Sequence, residues 1–435
     1  MNSYLKYLQE IITLGHPLKD KTSIQPLVET FKDKKIVMLG ESSHGTQEFY
    51  EWRQAITQEL IINHGFNFVA VEGDWPPCQK INQFVAGKQG QDAHEVLSGF
   101  TRWPTWMWAN TEVLGFVEWL KNWNHGEDRA VGMHGLDVYS LYESMDQVIT
   151  ILRKLDPELA RMAEKKYSCL ESYRHDEKAY ARSLLKVPAG CKKEILDVLN
   201  ATLSARISDV DSDAWFDVRQ NVRIVNNAES YYRAMIFGED NSWNVRDNHM
   251  METLETLLER YGHNAKAVVW AHNTHIGDYR ATDMVMNGQV NIGGLAREIY
   301  GQENVGLVGF GTYSGTVTAS YAWDGPVMTF TIPEALPGSL EETFHSVIAN
   351  VGMKDFFLIF DPTNHRCALS QVKGHRAIGV VYDPELEHLG NYVPTSLSNR
   401  YDAFIYIDRT HAITSLEVPF DIHKYPETYP YGNKI

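Results

Sequence analysis

The stretch KIVMLGESSHG, residues 35–45, joins a short apolar run to a glutamate, two serines and a histidine. A continuous apolar run of this length is typical of a strand that is covered on both faces of a sheet. In an open parallel α/β sheet, ligands bind beyond the carboxyl ends of the strands. This stretch therefore predicts the type of sheet and also the edge where a functional site should lie.

Other apolar runs have the same character, and amphipathic segments at 47–63 and 111–123 separate the first three of them. This β-α-β-α-β alternation predicts a three-layer α/β/α core with a largely parallel or mixed sheet. Besides residues 35–39, the predicted strands are 66–71, 130–133, 267–271, 305–310, 356–360 and 404–407.

The middle of the chain has a different pattern. Residues 140–261 are rich in Lys, Glu, Leu, Ala, Asp and Arg and have helical periodicity, without a good candidate strand. We therefore expect an α/β catalytic core formed by residues 1–139 and 262–435. A helical insertion, residues 140–261, should cover the active-site side of this core.

Composition excludes some classes of partner. The chain has 435 residues, of which 43% are hydrophobic and 22% charged, and its net charge is −16. This charge argues against nucleic acid or an anionic membrane as the main partner, because both are polyanions. The sequence also lacks a recognisable signal peptide and a transmembrane run, which predicts a cytoplasmic protein.

Cysteine usage agrees with a reducing compartment. The four cysteines include no CxxC pair and suggest no disulfide framework, so we expect reduced thiols. They are Cys78, Cys169, Cys191 and Cys367.

Polar side chains follow four of the predicted strands, at the point where each strand ends. Because parallel strands end at the same edge of a sheet, we expect these side chains to meet in one crevice. Their carboxylates and imidazoles predict a catalytic or binding site there. The residues concerned are Glu41, His44, Glu72, His134, Asp137, His272 and His275.

Within this set, His44 is the predicted general base. The chain has no G-x-S-x-G motif, and Ser42 and Ser43 lie between glycines that are too far apart for a nucleophile elbow. A histidine, with an unperturbed pKa near ~6.5, accepts a proton at neutral pH. Glu41 or Glu72 would fix its tautomer, and water would be the nucleophile.

Two alternatives use the same residues. His272 and His275, with a third histidine and two glutamates, have the side chains that zinc, manganese or iron prefer, so a metal-dependent hydrolase remains open. However, the chain has no HExxH motif. The second alternative is a small-molecule or haem-binding protein that uses the cleft without hydrolysis.

Aromatic and basic residues near the strand ends complete the predicted site. Two arginines, Arg53 and Arg246, are candidates to orient a carbonyl oxygen or stabilise an oxyanion, or they form ordinary salt bridges. Tryptophans are suited to a pocket wall, although packing of the next helix onto the sheet would use them equally well. The residues assigned to substrate binding are Trp75, Trp103, Trp106, Trp108, His134 and Asp137.

Four motifs together make the chain resemble the erythromycin esterase family. They are LGESSHGTQEFYEWR at 39–53, FVAVEGDWP at 68–76, GMHGLDVYS at 132–140 and VVWAHNTHIGD at 268–278. The resemblance extends over nearly the whole chain. It implies an α/β core with a helical insertion. The wider superfamily includes haem-binding lipoproteins of the ChaN type, so the fold alone does not define the activity.

The resemblance also implies a chemistry. The best-known members of the family hydrolyse the lactone ester of fourteen-membered macrolides with a histidine that activates water, and that histidine corresponds to His44. Other members have names that refer to succinoglycan biosynthesis, so family membership does not imply a macrolide substrate. The implied function is hydrolysis of a small-molecule ester or lactone, without a required cofactor, although a divalent metal is not excluded. The other implied catalytic residues are Glu41, Glu72, Arg53, His272, His275 and, by a looser match, Arg246.

Overall fold

The structure is a computed structural model that describes residues 3–88, 92–126, 130–174, 177–205, 212–238, 242–361 and 368–416. Its strands include every one of the seven predicted from apolar runs. They are β1 (Gly15–Pro17), β2 (Ile36–Leu39), β3 (Phe68–Asp74), β4 (Gly132–Asp137), β5 (Ala267–Trp270), β6 (Val305–Ala319), β7 (Met328–Ile332), β8 (Phe356–Ile359), β9 (Lys373–Arg376), β10 (Tyr392–Thr395) and β11 (Ala403–Thr410).

A nine-stranded mixed sheet organises the fold. Its order is β1-β8-β11-β6-β2-β5-β3-β4, and β7 pairs with an extension of β6. The strands from β11 to β4 are mutually parallel. At one edge β8 runs antiparallel to β11, and β1 runs antiparallel to β8. Leu39 and Val71 both pair with Trp270. Strands β2, β3 and β5 therefore end together, and their polar continuations meet at one edge of the sheet.

Helices connect and cover these strands. They are α1 (Ser3–Leu14), α2 (Gln25–Phe31), α3 (Gln47–His64), α4 (Trp75–Val85), α5 (Ala93–Leu97), α6 (Thr111–Asn124), α7 (Leu141–Leu155), α8 (Pro157–Tyr167), α9 (Glu177–Leu184), α10 (Lys192–Ser204), α11 (Ser212–Phe237), α12 (Ser242–Tyr261), α13 (Asn273–Ile276), α14 (Ile292–Tyr300), α15 (Leu340–Val351), α16 (Glu387–Gly390) and α17 (Leu397–Arg400).

The sheet lies between two apolar layers, as the sequence predicts for a three-layer α/β/α core. Alternate residues of β2 show this directly. Val37 and Leu39 belong to the hydrophobic cluster that includes α3 and α6. Ile36 and Met38 belong to the cluster that includes α12, α14 and α15. Because both faces are buried, the strand is apolar throughout rather than alternating.

Helices α7 to α12 follow β4, and no strand occurs between them in the described residues. Most of these helices contribute to a third hydrophobic cluster of their own. The division of the chain into a core and a helical insertion stays a prediction. None of the described helices is both long enough and apolar enough to cross a membrane.

Cys169 and Cys191 form a disulfide between the segments that follow α8 and precede α10. The sequence-based prediction of reduced thiols is therefore wrong for this pair. It failed because the spacing of the two cysteines matches no standard pattern. Cys78 is free and buried, and burial raises the pKa of its thiol. Cys367 lies outside the described residues.

Candidate functional site

The segment after β2 places a glutamate beside a histidine. Glu41 Oε1 lies 2.9 Å from His44 Nδ1, and Glu41 Oε2 lies 2.8 Å from Arg53 Nη2 on α3. All three residues are buried. The Tyr50 ring lies 4.3 Å from the Arg53 guanidinium carbon. Because a carboxylate only accepts hydrogen bonds, His44 Nδ1 carries the hydrogen. The lone pair of neutral His44 is therefore on Nε2.

The segment after β5 holds a second imidazole in the opposite tautomer. The backbone N–H of Thr274 donates to His272 Nδ1 over 3.3 Å, and Thr274 Oγ1 lies 2.8 Å from the same nitrogen. Nδ1 is thus an acceptor, and the ring hydrogen is on Nε2. Burial, reinforced by the nearby His44, lowers the pKa of His272 well below its ordinary value. His272 is therefore a neutral hydrogen-bond donor.

These two imidazoles face each other in one small space. Their ring centroids are 4.9 Å apart, and the planes are tilted by 42°. Within the described part of the chain, the buried His272 Nε2 atom has no hydrogen-bond partner. The pair therefore combines a lone pair on His44 with an N–H on His272 that has no side-chain partner in the described residues, although the Ser42 main chain is close enough to raise the pKa of His272 slightly against the effect of burial. This is the complementary set needed to activate water next to a carbonyl oxygen.

Arg246 on α12 joins two of the strand ends. Its Nε and Nη2 atoms donate to the two oxygens of Asp137, the last residue of β4, over 2.9 and 2.7 Å. Nη2 also donates to Glu72 Oε1 over 2.7 Å, within β3. Burial alone would raise the pKa of Glu72, but His275 and Arg246 outweigh it and hold that pKa well below the usual range. Glu72 is therefore an anion at neutral pH.

Glu72 also connects this group to His272. The other carboxylate oxygen, Oε2, accepts a hydrogen bond of 2.8 Å from the backbone N–H of His272. Both oxygens of Glu72 are thus occupied, one by Arg246 and the other by the main chain that follows β5. This arrangement fixes the position at which His272 leaves the strand.

His275 lies between two carboxylates. Its Nδ1 is 2.9 Å from Asp247 Oδ1, and its Nε2 is 3.3 Å from Glu72 Oε1 and 3.1 Å from an Arg246 nitrogen. The ring stacks on Trp243, with centroids 4.4 Å apart. Burial would lower the pKa of His275, but the two carboxylates outweigh it and raise that pKa to about 9. The residue is thus an imidazolium at neutral pH.

The three tryptophans of the predicted pocket wall are buried in the apolar layer that includes α3 and α6. Trp108 Nε1 donates to the carbonyl oxygen of Glu72 over 3.0 Å, which supports the strand end from below. Trp103 packs edge-on against Trp323, with centroids 5.0 Å apart. Trp106 is almost completely buried. A substrate-binding role for these three side chains stays a prediction.

His134 and Trp75 lie in a separate cluster. Their rings stack with centroids 5.7 Å apart, and His134 Nε2 is 2.9 Å from the Tyr261 hydroxyl. Burial, with a contribution from Arg260, lowers the pKa of His134 to about 3. Unlike Asp137, which binds Arg246, His134 has no contact with His44 or Glu72 in the described part of the chain. The structure therefore does not bring His134 into the group at the strand ends.

Sequence reasoning missed several residues of this site. Asp247 follows Arg246 directly on α12 but is 28 residues from its partner His275, and no spacing rule connects the two. Trp243, one turn earlier, was missed for the same reason. Thr274 lies inside the motif VVWAHNTHIGD, so its position between two histidines was a usable signal.

The same geometry bears on metal binding. No group of three or more His, Cys, Asp or Glu side chains is arranged to hold a metal ion in the described residues. The candidates in the sequence have other partners here, since Glu72 and His275 use both oxygens and both ring nitrogens on protein groups. His44 and His272 each keep Nε2 free of such hydrogen bonds in the described residues, as does His134 its Nδ1, away from this group.

The fold and the site together have the features of a hydrolase that combines an α/β core with histidines and carboxylates. A sequence model of the erythromycin esterase family matches residues 61–410. The chain belongs to the erythromycin esterase family.

Two known proteins illustrate the relationship in sequence. Erythromycin esterase type II of Escherichia coli is 22% identical over 379 residues, which cover 80% of this chain and 85% of that protein. The putative hydrolase YbfO of Bacillus subtilis (strain 168) is 23% identical over 58% of each chain. Family membership and these relatives support a hydrolase.

Solved structures show the same fold. A succinoglycan biosynthesis protein superposes with a TM-score of 0.76 and 20% identity, over 95% of this chain and 99% of that one. A mutant of the erythromycin esterase EreC, in its open conformation, superposes with a TM-score of 0.67 and 17% identity, over 93% and 96%. At such identities the likeness establishes the α/β fold alone.

Proposed function

We propose that this protein hydrolyses a small-molecule ester or lactone with a water molecule activated by His44. The observation that carries the proposal is the complementary pair of imidazoles. Glu41 keeps the lone pair of His44 on Nε2, and Thr274 keeps the hydrogen of His272 on Nε2. The ring centroids are 4.9 Å apart, so the two rings are in contact, and the water molecule and the carbonyl group would bind beside the pair, within reach of both Nε2 atoms.

The reaction proceeds in two balanced steps. Water gives a proton to His44 Nε2 while its oxygen bonds to the carbonyl carbon, and the carbonyl π electrons move onto oxygen. The resulting oxyanion accepts a hydrogen bond from His272 Nε2–H. The oxyanion then collapses, and the bond from carbon to the alkoxy oxygen breaks. The leaving alkoxide takes the proton from His44, so the products are a carboxylic acid and an alcohol.

The negative charge of Glu41 stabilises the imidazolium that forms on His44 during the first step. Arg53 in turn fixes the second oxygen of Glu41, 2.8 Å away, and so orients the carboxylate. The serines have other roles in this proposal. Ser43 Oγ hydrogen-bonds Thr46 Oγ1, and Ser42 is fully buried. Neither hydroxyl contacts a base in the described residues, which favours water over serine as the nucleophile.

Two cationic side chains lie close to His272 and are linked to it through Glu72. The imidazolium of His275 and the guanidinium of Arg246 flank Glu72. We propose that they keep Glu72 ionised, and that Glu72 holds the main chain of His272 through its second oxygen. Asp137 completes this group by holding Arg246 in place.

The substrate class follows the family only in part. The names of the relatives refer to erythromycin, and we include macrolides as one candidate group of lactones. Simple activated esters are the second group, because they report on the proposed chemistry even when the natural alcohol is unknown. Assays with and without a chelator distinguish the proposed mechanism from metal-dependent hydrolysis by the same residues.

The test is hydrolysis of p-nitrophenyl esters of increasing acyl length and of macrolides, by the wild-type protein and by His44→Ala, with and without EDTA. We expect turnover that is insensitive to EDTA and that falls by about 10²–10⁴-fold in His44→Ala. His411→Ala is the matched control, because His411 also contacts a glutamate, Glu48, at 2.6 Å but is exposed. Full activity in His44→Ala would overturn the proposal. Loss of activity with EDTA and its recovery with added metal would favour the metal-dependent alternative.

A further inference from the structure

A second buried pair of histidine and glutamate lies outside the residues that the proposed mechanism uses. His375 on β9 places Nδ1 2.6 Å from Glu341 Oε1, at the first turn of α15. The backbone N–H of Arg376 donates to the same oxygen over 2.9 Å. Both side chains of the pair are at most 1% exposed. A titratable pair that is this deeply buried has a cost in desolvation, so its retention calls for an explanation.

The tautomer of His375 follows from its partners. Nδ1 donates to the carboxylate of Glu341. Burial, reinforced by Arg400 and Arg376, outweighs the attraction of Glu341 and lowers the pKa of His375. The ring is therefore neutral, and its Nε2 atom is an acceptor. That acceptor faces Asn273, whose Nδ2 atom is 3.1 Å away.

Asn273 is fixed at both ends of its side chain. Its Nδ2 donates to the carbonyl oxygen of Phe310 on β6 over 2.7 Å, as well as to His375. Its Oδ1 accepts from the Phe310 N–H over 3.2 Å. Because Nε2 of His375 needs a donor, the amide group cannot be turned by 180° without loss of this contact. The two contacts with Phe310 thus set the orientation of the Asn273 amide, and the contact with His375, which Glu341 holds, reinforces it.

The main chain of Asn273 connects the two halves of the proposed site. Its N–H donates to the carbonyl oxygen of Glu41 over 2.8 Å. In the sequence Asn273 lies between His272 and Thr274. His272 is the proposed hydrogen-bond donor, and Thr274 fixes its tautomer. A Cβ on Gly40 would lie 2.1 Å from Asn273 Oδ1, so the glycine before Glu41 allows this close approach.

We propose that Asn273, held by Phe310 and by the pair of Glu341 and His375, is the positioning residue that sets His44 and His272 at their working separation. It fixes the end of β2, which carries Glu41 and His44, against the first turn of α13. The same contacts hold Thr274 N–H against His272 Nδ1. His375 acts through Asn273 and does not touch substrate. The inference rests on the proposed hydrolysis for its kinetic readout, so a second readout is needed that does not depend on turnover.

The test compares three variants with the wild-type protein on a p-nitrophenyl ester. His375→Phe keeps the ring volume but removes the acceptor for Asn273. His375→Gln restores an acceptor on a shorter, flexible side chain. Tyr382→Phe is the control for lost stability, because it removes the buried 2.8 Å hydrogen bond to Glu387, which has no contact with Asn273 in the described residues. We expect kcat to fall at least about tenfold in His375→Phe, with KM within about twofold.

We expect His375→Gln to recover most of the lost kcat, and Tyr382→Phe to lower the melting temperature but leave kcat unchanged. The second readout is the ring signals of His272 in protein labelled with ¹⁵N-histidine, assigned with His272→Gln. His375→Phe should lose the pure Nε2–H signature, whereas Tyr382→Phe should keep it. Asn273→Ser provides the same comparison where His375→Phe fails to fold.

Two outcomes would overturn the inference. One is a folded His375→Phe with wild-type kcat and wild-type His272 signals. The other is a loss of kcat that Tyr382→Phe reproduces at an equal loss of stability. Where the wild-type protein hydrolyses no ester at all, the proposed function fails, but the ring signals still decide whether Asn273 and His375 hold His272 in one tautomer.

Discussion

Glu41 Oε1 and His44 Nδ1 are 2.9 Å apart, although both belong to the loop that follows one strand. The loop is compact enough for a residue and its neighbour three positions later to form this pair. As a result, the base and the group that orients it are built by a single strand end, while the residues that surround them come from three others. The geometry allows the role of each partner to be tested separately.

Removal of the negative charge of Glu41 should slow the reaction without moving His44, the proposed base. In Glu41→Gln the amide oxygen still accepts from His44 Nδ1, but the negative charge that stabilises the imidazolium is lost. We expect kcat/KM to fall by about 10²-fold. Glu48→Gln is the control, because Glu48, in the first turn of α3, makes the same kind of contact at 2.6 Å with His411, which is exposed. Equal effects of the two substitutions would contradict a specific role for Glu41.

Thr274 should control the tautomer of His272. Its hydroxyl lies 2.8 Å from His272 Nδ1 and complements the backbone N–H at 3.3 Å. In Thr274→Val the ring loses one of these two donors, so the Nε2–H form is less favoured. We expect kcat to fall by about tenfold, and Thr274→Ser to retain most of it. Steady-state kinetics of both variants on one ester provide the measurement, and equal kcat in Val and Ser variants would count against this role.

Asp247 makes stability depend on pH on the alkaline side. The folded-state pKa of His275 is about 9, above the value of ~6.5 for an unfolded chain. The raised pKa therefore stabilises the fold fully below about pH 6.5, and this contribution is lost as pH rises towards 9. By the size of the shift it is on the order of 3 kcal/mol.

Asp247→Asn removes the larger of the two attractions that raise the pKa of His275. We expect the free energy of unfolding, measured with urea at a series of pH values, to decline less between pH 7 and pH 9 than in the wild-type protein. Asp283→Asn serves as the control, because Asp283 lies outside the site, in the short helical turn Asp283–Asn287. An unchanged alkaline slope in Asp247→Asn would show that Asp247 does not raise the pKa of His275.

The sequence predicted the sheet well because its central strands are buried on both faces. Residues 35–39 and 267–271 are continuous apolar runs, and β2 and β5 lie inside them. The strands that were not predicted are short or lie at an edge. β1 has three residues, and β9 and β10 are parts of a separate two-stranded sheet. Such strands depend on tertiary contacts, which a local pattern of hydrophobicity does not record.

For the site, the sequence predicted the residues at the strand ends but not the residues that hold them in place. Residues at strand ends, such as Glu41 and His272, follow from the rule that parallel strands end at one edge. Asp247 and Asn273 do not, because their roles depend on contacts with residues far away in the sequence. For His134 the same rule predicted too much, because it placed this residue in the group at the strand ends. It precedes the end of β4 by three positions, and the alternation of side chains turns it into the apolar layer instead.

Arg246 should matter more to stability than an exposed arginine with the same bonding pattern. In Arg246→Met, the carboxylates of Glu72 and Asp137 lose their shared partner while they stay buried. Breaking a buried ion pair on one side costs about 3–5 kcal/mol. Arg280→Met is the matched control, because Arg280 also binds one carboxylate, Asp278, through two nitrogens but is half exposed.

For the control we expect a loss of no more than about 1 kcal/mol. Urea unfolding of both variants at neutral pH gives the comparison. Equal losses in the two variants would mean that the strand ends tolerate the uncompensated carboxylates, and the proposed role of Arg246 in holding Glu72 would then be wrong.

His134 makes stability depend on pH on the acid side. Its folded-state pKa is about 3, below the value of ~6.5 in an unfolded chain, because burial disfavours the charged ring. As pH falls from about 6.5 towards 3, the unfolded chain takes up a proton that the folded protein does not, so stability decreases. His134→Gln keeps a polar group for the Tyr261 hydroxyl but does not titrate. We expect a shallower loss of stability in acid and unchanged ester turnover at neutral pH. A wild-type acid slope would refute the buried neutral state of His134, and a large loss of turnover in a fully folded variant would instead return it to the substrate-binding residues.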